Sequence, residues 1–241
     1  MNNELRIMVL AAGKGTRMKS DLPKVLHNLQ GSPLIDYVLN ESELLNPSEI
    51  ILVVGFKKEI IISHTKKRYN LKYITQREQL GTGHAVLQSE ELLKNKNGHI
   101  LILYGDVPNI KASTLQPIVD HHIINNCDLT LITAEINDPT GYGRIIRDEN
   151  YNLLKIVEEK DCNDNEKKIK ECNPGIYIFK IPEIFKILNK IKTNNASKEY
   201  YLTDAIELAQ HSNMKINAIK IDNSDEVIGV NTTDQLEELE S

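Results

Sequence analysis

A glycine-rich stretch near the amino terminus carries residue types that bind phosphate. Gly13 and Gly15 follow an apolar run, and Lys14, Arg17 and Lys24 lie on the same short path. Glycine lets a ligand approach backbone N–H groups closely, and a triphosphate is held by such amides together with cations. The spacing is neither that of a P-loop nor that of a dinucleotide-binding fingerprint. It predicts a phosphate-binding loop, although an ordinary turn with solvated basic residues has the same pattern.

A second loop combines an amide, a glycine and a hydroxyl that can recognise a base. Gln76, Gly81 and Thr82 lie between a predicted strand and a predicted helix. Their side chains and backbone groups can present donors and acceptors to the edge of a pyrimidine. A helix entrance capped by Thr82 is an equally good interpretation of this stretch taken alone. His84 is interpreted as a helix-start residue rather than a catalytic one.

A carboxylate follows a third apolar run. Asp106 comes after residues 100–104 and is preceded by Gly105. At the carboxyl end of a parallel strand, such a carboxylate can hold Mg²⁺ against phosphate oxygens. Taken alone, an aspartate there is as often a turn or cap former.

The elements that must position these loops alternate between buried strands and amphipathic helices. Apolar runs predict strands at residues 7–12, 50–55, 71–75, 100–104, 129–135, 153–157, 176–179 and 216–221. Helical spacing predicts helices at residues 33–39, 58–69, 82–94, 113–126 and about 182–190, and a closing helix capped by Thr232 or Thr233. Right-handed crossovers would stack the first strands in parallel, with the first loop at the edge where ligands bind. The predicted fold class is α/β, a Rossmann-like, mostly parallel mixed sheet flanked by helices, with a smaller lobe. Residues 160–170 are highly polar and resemble a mobile surface loop.

Composition and charge exclude several classes of function. The 241 residues include 29 basic and 34 acidic side chains, interspersed, for a net charge of -5. This balance argues against a nucleic-acid-binding surface, so an anion site must be a local pocket. The cysteines, Cys127, Cys162 and Cys172, form no Cys-x-x-Cys pair and indicate neither a disulfide framework nor a zinc site. The amino-terminal run is unlike a signal peptide and no apolar segment has membrane-spanning length, so we expect a soluble cytoplasmic protein that binds neither nucleic acid nor membrane.

Seven motifs occur in register from residue 10 onward, and IGVN closes the series at residue 231. The motifs are LAAGKGTRM, PKVL, QLGTGHA, YGDVP, PTGYGR, VEEKD and EYYLTD. The set resembles that of the nucleotide-diphospho-sugar pyrophosphorylases, and most closely the bacterial uridylyltransferases of N-acetylglucosamine 1-phosphate. The resemblance implies the fold of that family and Mg²⁺-dependent transfer of UMP from UTP to N-acetylglucosamine 1-phosphate. The products would be pyrophosphate and UDP-N-acetylglucosamine, a precursor of peptidoglycan and lipopolysaccharide.

The resemblance also implies roles for individual positions. The UTP site would comprise Leu10, Ala11, Ala12, Gly13, Lys24, Gln76, Gly81 and Thr82. The catalytic cations on the phosphates would be Arg17 and Lys24, and the Mg²⁺ ligands Asp106 and Asn231. The sugar phosphate would be held by Tyr104, Gly143, Glu158, Asn173, Tyr201 and Thr203.

The same resemblance suggests a division of the chain and shows two departures. Residues 1–231 would form one nucleotidyltransferase domain, with a nucleotide-binding half at 1–136, a sugar-binding lobe at 137–231 and a carboxyl-terminal helix at 232–241. Where the family usually has Asn-Thr-Gly, this chain has Asn173, Pro174 and Gly175, and the proline removes one backbone donor. The bifunctional bacterial enzymes continue into a hexapeptide-repeat β-helix that acetylates glucosamine 1-phosphate, and these 241 residues contain no such repeat. We therefore expect no acetyl-CoA site in this chain, and a monomer rather than a trimer.

Two alternatives stay open. A uridylyltransferase for another sugar 1-phosphate, such as glucose 1-phosphate or the galactosamine epimer, would use the same cleft. An inactive regulatory subunit would reuse the same fold, but such a relative is expected to lose the cation or metal positions. Here Arg17, Lys24, Asp106 and Asn231 are all present.

Overall fold

The computed structural model describes residues 3–240 of the chain. Within that range it has twelve strands and eight helices, joined by short 3-10 turns. The strands are β1 (Leu5–Ala11), β2 (Asn28–Leu29), β3 (Ser32–Pro33), β4 (Glu49–Val54), β5 (Leu71–Thr75), β6 (Gly98–Tyr104), β7 (Leu129–Glu135), β8 (Gly143–Arg147), β9 (Leu153–Val157), β10 (Glu171–Asn173), β11 (Tyr177–Ile181) and β12 (Ile216–Ile221). The helices are α1 (Leu34–Leu44), α2 (Lys58–Thr65), α3 (Thr82–Leu87), α4 (Glu90–Leu93), α5 (Ala112–Ile124), α6 (Glu183–Leu188), α7 (Ala205–His211) and α8 (Thr233–Glu240).

Ten of the strands form one mixed sheet. Its order is β5-β4-β1-β6-β11-β7-β10-β8-β9, with β12 paired to β7, while β2 and β3 form a separate hairpin. The strands β5, β4, β1 and β6 run parallel to one another, and β12 runs parallel to β7. The remaining pairs are antiparallel. The predicted α/β class is confirmed, and the parallel order brings the loops after β1, β5 and β6 to one edge.

Helices cover both faces of this sheet. Successive side chains of a strand point to opposite faces, so a strand that is covered on both sides is apolar throughout. In β1, Ile7 and Val9 join one core with α1, α2 and α5, and Met8 and Leu10 join a second core with α3, α6 and α7. Burial on both faces fixes the position of the loop that follows β1.

The strand ladder is interrupted beside the end of β6. β10 and β11 both pair with β7, with Cys172 opposite Ala134 and Tyr177 opposite Leu131. Between them lie Pro174, which has no N–H for a ladder bond, and Gly175. The interruption frees this short segment to line a site at the edge of the sheet.

Several predicted element bounds are wrong. The helix predicted at residues 58–69 ends at Thr65, whose carbonyl accepts from the N–H groups of both Arg68 and Tyr69. The helix predicted at 82–94 is two helices, because the hydroxyl of Ser89 donates to the carbonyl oxygen of Val86, 2.7 Å away, in competition with the helical pattern.

The predicted caps have opposite outcomes. Thr82 does not cap α3, because its hydroxyl oxygen accepts from the N–H of Leu202 at 3.1 Å and Gly81 occupies the cap position. Thr232 does cap α8, since its hydroxyl oxygen accepts from the N–H of Gln235 at 3.2 Å. The predicted closing helix therefore exists, with its last residue, Ser241, outside the described residues.

The polar segment 160–170 has defined local structure. It contains two 3-10 turns, Glu159–Asp161 and Glu166–Lys168. The side-chain oxygen of Asn163 accepts from the N–H groups of Asn165 and Glu166, each at 2.9 Å. The segment is mostly exposed, as its composition predicted, and its mobility stays a prediction.

Two further findings concern the whole described range. Its helices are all too short or too polar to cross a membrane. The three cysteines are free and buried.

Candidate active site

A cavity of about 460 Å³ opens where β1, β5 and β6 end. The backbone holds these ends together, since Gly105 N–H donates to Leu10 O at 3.0 Å and Gln76 N–H donates to Val54 O at 2.8 Å. The lining includes every position that the sequence suggested for UTP, namely Leu10, Ala11, Ala12, Gly13, Lys24, Gln76, Gly81 and Thr82. Residues far apart in the chain therefore meet in one place.

The glycine loop allows two chain segments to approach closely. Gly15 has φ +60°, and a Cβ at this position would lie 2.6 Å from Cβ of Lys24. The turn Thr16–Met18 follows directly and carries Arg17. Gly15 therefore places the two predicted cations side by side.

Gln76 is almost completely buried at the back of this cavity. Its amide nitrogen donates to Gly81 O at 3.0 Å and lies 3.1 Å from Nδ1 of His84. Because the nitrogen is committed to these contacts, the amide oxygen is the atom that Gln76 can offer to a ligand. His84 itself contacts Gln76 and Gln88 and is absent from the lining of the cavity.

The loop after β5 is fastened to the segment before α7. Gly83 N–H donates to Tyr200 O and Tyr200 N–H donates to Leu80 O, both at 2.8 Å. Gly81 has φ +110°, and a Cβ there would lie 2.6 Å from Tyr200 O. Only glycine fits this backbone approach without displacement.

Lys24 and Arg17 converge on the predicted metal ligands. The Lys24 ammonium forms an ion pair with Oδ2 of Asp106 and donates to Oδ1 of Asn231 at 3.0 Å. Nη2 of Arg17 donates to the same Asn231 oxygen at 2.8 Å. Val230 N–H donates to Asp106 O at 2.9 Å, which fixes the two predicted ligands relative to each other.

This arrangement fits a divalent cation held jointly by protein and phosphate. Asp106 offers a carboxylate and Asn231 an amide oxygen, both hard donors of the kind that Mg²⁺ and similar ions prefer. The Lys24 ammonium touches both oxygens, which marks the space between them as a position for positive charge. Within residues 3–240, no three His, Cys, Asp or Glu side chains converge as a metal cluster. A cation here would therefore need further oxygens from phosphate or water.

A second cavity of about 310 Å³ adjoins the first. It contains every position suggested for the sugar phosphate, namely Tyr104, Gly143, Glu158, Asn173, Tyr201 and Thr203, together with Arg17 and Asn231. The two cavities share Lys24, Thr82, Tyr104, Asp106 and Glu199 as a common wall. A ligand in one cavity would therefore lie directly beside a ligand in the other at these shared residues.

The polar groups of the second cavity are oriented by hydrogen bonds. The Thr203 hydroxyl donates to Oε1 of Glu158 at 3.0 Å. Burial raises the pKa of Glu158, and the negative charges of Asp204, Asp161 and Glu199 add to this, whereas the Thr203 bond lowers it. Glu158 is therefore a half-buried acceptor that can receive a hydrogen bond from a hydroxyl or amide group of a ligand.

The Asn-Pro-Gly sequence forms a turn against the aromatic ring of Tyr104. Gly175 N–H donates to Oδ1 of Asn173 at 3.0 Å, so the turn closes without a donor at position 174. Gly175 has φ +88°, and a Cβ there would lie 2.4 Å from Cε2 of Tyr104. Burial raises the pKa of the Tyr104 phenol. The proline substitution therefore leaves the turn that carries Asn173 intact.

The structure adds site residues that sequence reasoning missed. Gln79 lines the first cavity, Glu199 lines both, and Tyr142 and Gly229 line the second. Gly229 N–H donates to the hydroxyl oxygen of Tyr142 at 3.1 Å, which ties the loop before β8 to the segment before α8. All four lie inside motifs that the resemblance rests on, and this signal alone could have nominated them.

Comparison with known proteins agrees with the geometry. The model of the nucleotidyl transferase family matches residues 6–226. A relative in Streptococcus agalactiae serotype V, named Bifunctional protein GlmU, is 43% identical over 224 residues, which are 93% of this chain and 48% of the relative. The protein of that name in Enterococcus faecalis is 45% identical over 231 residues, 96% of this chain and 50% of the relative. The chain spans about half the length of these relatives.

A solved structure is similar in fold over nearly its whole length. It is described as the crystal structure of UDP-glucose pyrophosphorylase complexed with UDP-glucose, and it superimposes with a TM-score of 0.76 at 22% identity. The similarity covers 98% of this chain and 97% of that one.

A mixed, mostly parallel sheet between two helical layers, with a cleft at the carboxyl ends of its parallel strands, defines the nucleotide-diphospho-sugar transferase fold. The chain belongs to the nucleotidyl transferase family and is a nucleotidyltransferase. Membership also implies a divalent metal, for which Asp106 and Asn231 are suitable ligands.

Proposed function

We propose that this chain transfers UMP from UTP to N-acetylglucosamine 1-phosphate, releasing pyrophosphate and forming UDP-N-acetylglucosamine. The observation that carries the proposal is the common wall between the two cavities, with Lys24 and Asp106 on it and Arg17 and Asn231 beside it. A transfer between two phosphates needs two anions to meet at a point of positive charge. The described residues offer one such meeting point, between a cavity sized for a nucleotide and a smaller one.

In the first cavity, the proposed nucleotide contacts follow from exposed backbone and one buried amide. Ala12 and Gly13 present backbone groups beside the end of β1. The free oxygen of the Gln76 amide would accept from the N3–H of uracil, which a cytosine base lacks.

The proposed division of the chain is a nucleotide-binding half at residues 1–136 and a sugar-binding lobe at 137–231.

The chemistry requires positioning and charge rather than a general base. The nucleophile is a phosphate oxygen of the sugar 1-phosphate, which is already anionic near neutral pH, so no residue needs to remove a proton. Arg17 and Lys24 would hold the attacking and α-phosphates in line and offset their mutual repulsion. Their charges would also stabilise the departing pyrophosphate. When bound, Mg²⁺ would supply additional charge neutralisation between the two phosphates.

In the second cavity, acceptors and hydroxyls would select the sugar. Glu158 offers a carboxylate that Thr203 already orients. Asn173 has its side-chain oxygen engaged by Gly175 N–H, so its amide NH₂ is the group it can present. A donor and an acceptor at fixed positions suit a sugar that carries both hydroxyl and acetamido groups.

The experiment is pyrophosphate release with UTP and a panel of sugar 1-phosphates in the presence of Mg²⁺. We expect N-acetylglucosamine 1-phosphate to give the highest kcat/KM. A higher value with glucose 1-phosphate or the N-acetylgalactosamine epimer would reassign the acceptor. Failure with every sugar phosphate would favour an inactive relative, and acetyl-CoA with glucosamine 1-phosphate serves as a control that should give no acetylated product.

Three subsidiary proposals accompany this function. The first is that the metal is Mg²⁺, and replacing it with Ca²⁺ or Mn²⁺ in the same assay tests this choice. The chain is a monomer, which light scattering coupled to size-exclusion chromatography examines. The cytoplasm is its location, where UTP is available and thiols such as buried Cys172 stay reduced.

A further inference from the structure

The side chain of Asn231 makes more hydrogen bonds in the site than a metal ligand alone would require. Its side-chain oxygen accepts from both Arg17 and Lys24, and its amide nitrogen donates to Gly229 O at 3.2 Å. All of its side-chain groups are therefore used at once. A displacement of this residue would break its hydrogen bonds to both cations.

The backbone of Asn231 is held by a glutamine from α8. The N–H of Asn231 donates to Oε1 of Gln235 at 2.7 Å. Gln235 N–H donates in turn to the hydroxyl oxygen of Thr232 at 3.2 Å. In an ordinary capping box, the glutamine at the third helical position would bond the N–H of the cap residue itself. Here the glutamine reaches one residue further back, to Asn231, which links the start of the helix to the site.

The helix that carries Gln235, α8, packs against the segment that follows Lys24. Leu236 and Leu239 pack on Leu29 and on Val230, the residue before Asn231. Leu29 belongs to the hairpin that follows directly after the turn bearing Lys24. α8 therefore rests on the segments that carry the two partners, Lys24 and Asn231.

We propose that Gln235 is a positioning residue, which holds Asn231 so that its oxygen faces Lys24, Arg17 and the metal. This inference rests on the proposed function for its catalytic meaning. Its structural content is independent of that function, because it states which hydrogen bond holds the backbone of Asn231. A residue that only capped α8 would affect stability and leave the metal ligand unaffected.

Three variants separate positioning from capping. Gln235→Met keeps the length of the side chain and its helix propensity but removes the acceptor. Gln235→Glu retains an acceptor oxygen and should rescue. Thr232→Ala is the matched control, since it removes the ordinary cap while leaving the bond between Gln235 and Asn231.

The main readout is Mn²⁺ binding to the nucleotide-free protein, measured by electron paramagnetic resonance of free Mn²⁺. We expect Gln235→Met to weaken Mn²⁺ binding about 10-fold, as the loss of an outer partner of a metal ligand does. Thr232→Ala and Gln235→Glu should stay within about twofold of the parent protein, which is below that outer-partner effect. Equal Mn²⁺ binding in Gln235→Met and the parent would overturn the proposal, as would equal weakening in Thr232→Ala.

A second measurement uses the unaltered protein and does not depend on folding of a variant. The backbone amide proton of Asn231 should exchange slowly with solvent, because it is hydrogen-bonded to Gln235. Exchange as fast as that of the exposed Asp234 backbone amide would also overturn the proposal. Pyrophosphate release by the unaltered protein is recorded in parallel. Its absence would reject the proposed function, while Mn²⁺ binding and amide exchange would still decide the role of Gln235.

Discussion

Lys24 and Asp106, which are 82 positions apart in the chain, form an ion pair on the wall shared by the two cavities. Their side chains are 17% and 11% exposed. The pair is therefore largely shielded from solvent, and each charge is balanced by the other. The same ammonium also touches Asn231, the second predicted metal ligand.

The first prediction concerns competition between this ammonium and a metal. Lys24→Gln should strengthen Mn²⁺ binding to the nucleotide-free protein by about 10-fold or more, because a partly buried carboxylate loses its counter-charge. The same change should lower turnover by about 100-fold, because a cation is lost from the reacting phosphates. Mn²⁺ titration and initial rates measure the two effects. Lys67→Gln, an exposed change of equal charge, is the control, and unchanged or weaker Mn²⁺ binding in Lys24→Gln would contradict the account.

The second prediction separates the two cavities. Glu158 lines only the second one, so Glu158→Ala should raise KM for the sugar phosphate about 10-fold or more, as expected for a lost hydrogen bond to a charged group. The KM for UTP should change by less than about threefold, since no nucleotide contact is removed. Thr203→Val, which removes the hydroxyl that orients Glu158, should shift the same KM in the same direction but less. Similar effects on both KM values would argue against a divided cleft.

The third prediction measures a steric contact at the turn beside Tyr104. Gly175 and Gly31 have nearly the same φ, +88° and +86°, but a Cβ would lie 2.4 Å from the Tyr104 ring at Gly175 and would meet nothing within 4 Å at Gly31. Gly31→Ala should therefore lower the free energy of unfolding by only about 1 kcal/mol, the cost of placing a Cβ on a backbone with positive φ. Gly175→Ala should cost about 2 kcal/mol more, because the ring must move within a packed wall. Urea unfolding of both variants gives the comparison, and equal losses would show that the ring yields freely.

Much of the parallel half of the fold was predictable from the sequence, because burial on both faces leaves continuous apolar runs. The runs located the buried strands β1, β4 and β6, which begin one or two residues before the predicted positions. The strands β5, β7, β9 and β12 have the predicted bounds, although β5, β9 and β12 are only partly buried. Helix ends were less predictable, since local hydrogen bonds of Ser89 interrupt a predicted helix. Apolar periodicity carries no record of these bonds.

The site shows the same division between local and long-range information. The sequence motifs nominated the residues that line both cavities, because glycine, charge and amide types are visible in the chain. Which partner each side chain meets was not visible. Thr82 is the instructive case: its position suggested a helix cap, whereas its hydroxyl accepts from Leu202 N–H, 120 positions away. Gln235 was invisible for a similar reason, since its role depends on which N–H its side chain reaches.

The fourth prediction uses an acidic residue that destabilises the fold at high pH. Burial, with the negative charges of Glu207 and Asp161, raises the pKa of Asp204 from 3.8 to about 6. The folded protein thus binds this proton more tightly than the unfolded chain does, so stability is lost as pH rises through about 6. Asp204→Asn should stabilise the protein by about 1 kcal/mol near pH 8, a value reduced for partial exposure of the group. The gain should shrink as pH falls towards about 4, and urea unfolding at both pH values should show it; a constant gain would reject the charge-based cause.

The fifth prediction concerns a buried histidine pair on α5 and β6. His122 lies 2.8 Å from the Thr130 hydroxyl through Nδ1 and 3.1 Å from His99 through Nε2. Burial lowers the pKa of His122 from 6.5 to about 3, and the nearby charges of His99, Lys180 and His121 lower it further. The pKa of His99 is also lowered, by burial and by Lys180. The folded protein therefore keeps this pair neutral where the unfolded chain would be protonated.

The sign of the pH effect follows from that lowered pKa. His122 contributes full stability above about pH 6.5, and this stability is lost as pH falls from there towards about 3. Between about pH 7.5 and pH 5, the loss should be about 2 kcal/mol. His122→Gln cannot be protonated and should unfold with a smaller difference between these two pH values, even if it is less stable at both. His121→Gln, the exposed neighbour on the same helix, should retain the difference of the parent protein. Urea unfolding at the two pH values decides between them, and an undiminished difference in His122→Gln would place the acid sensitivity elsewhere.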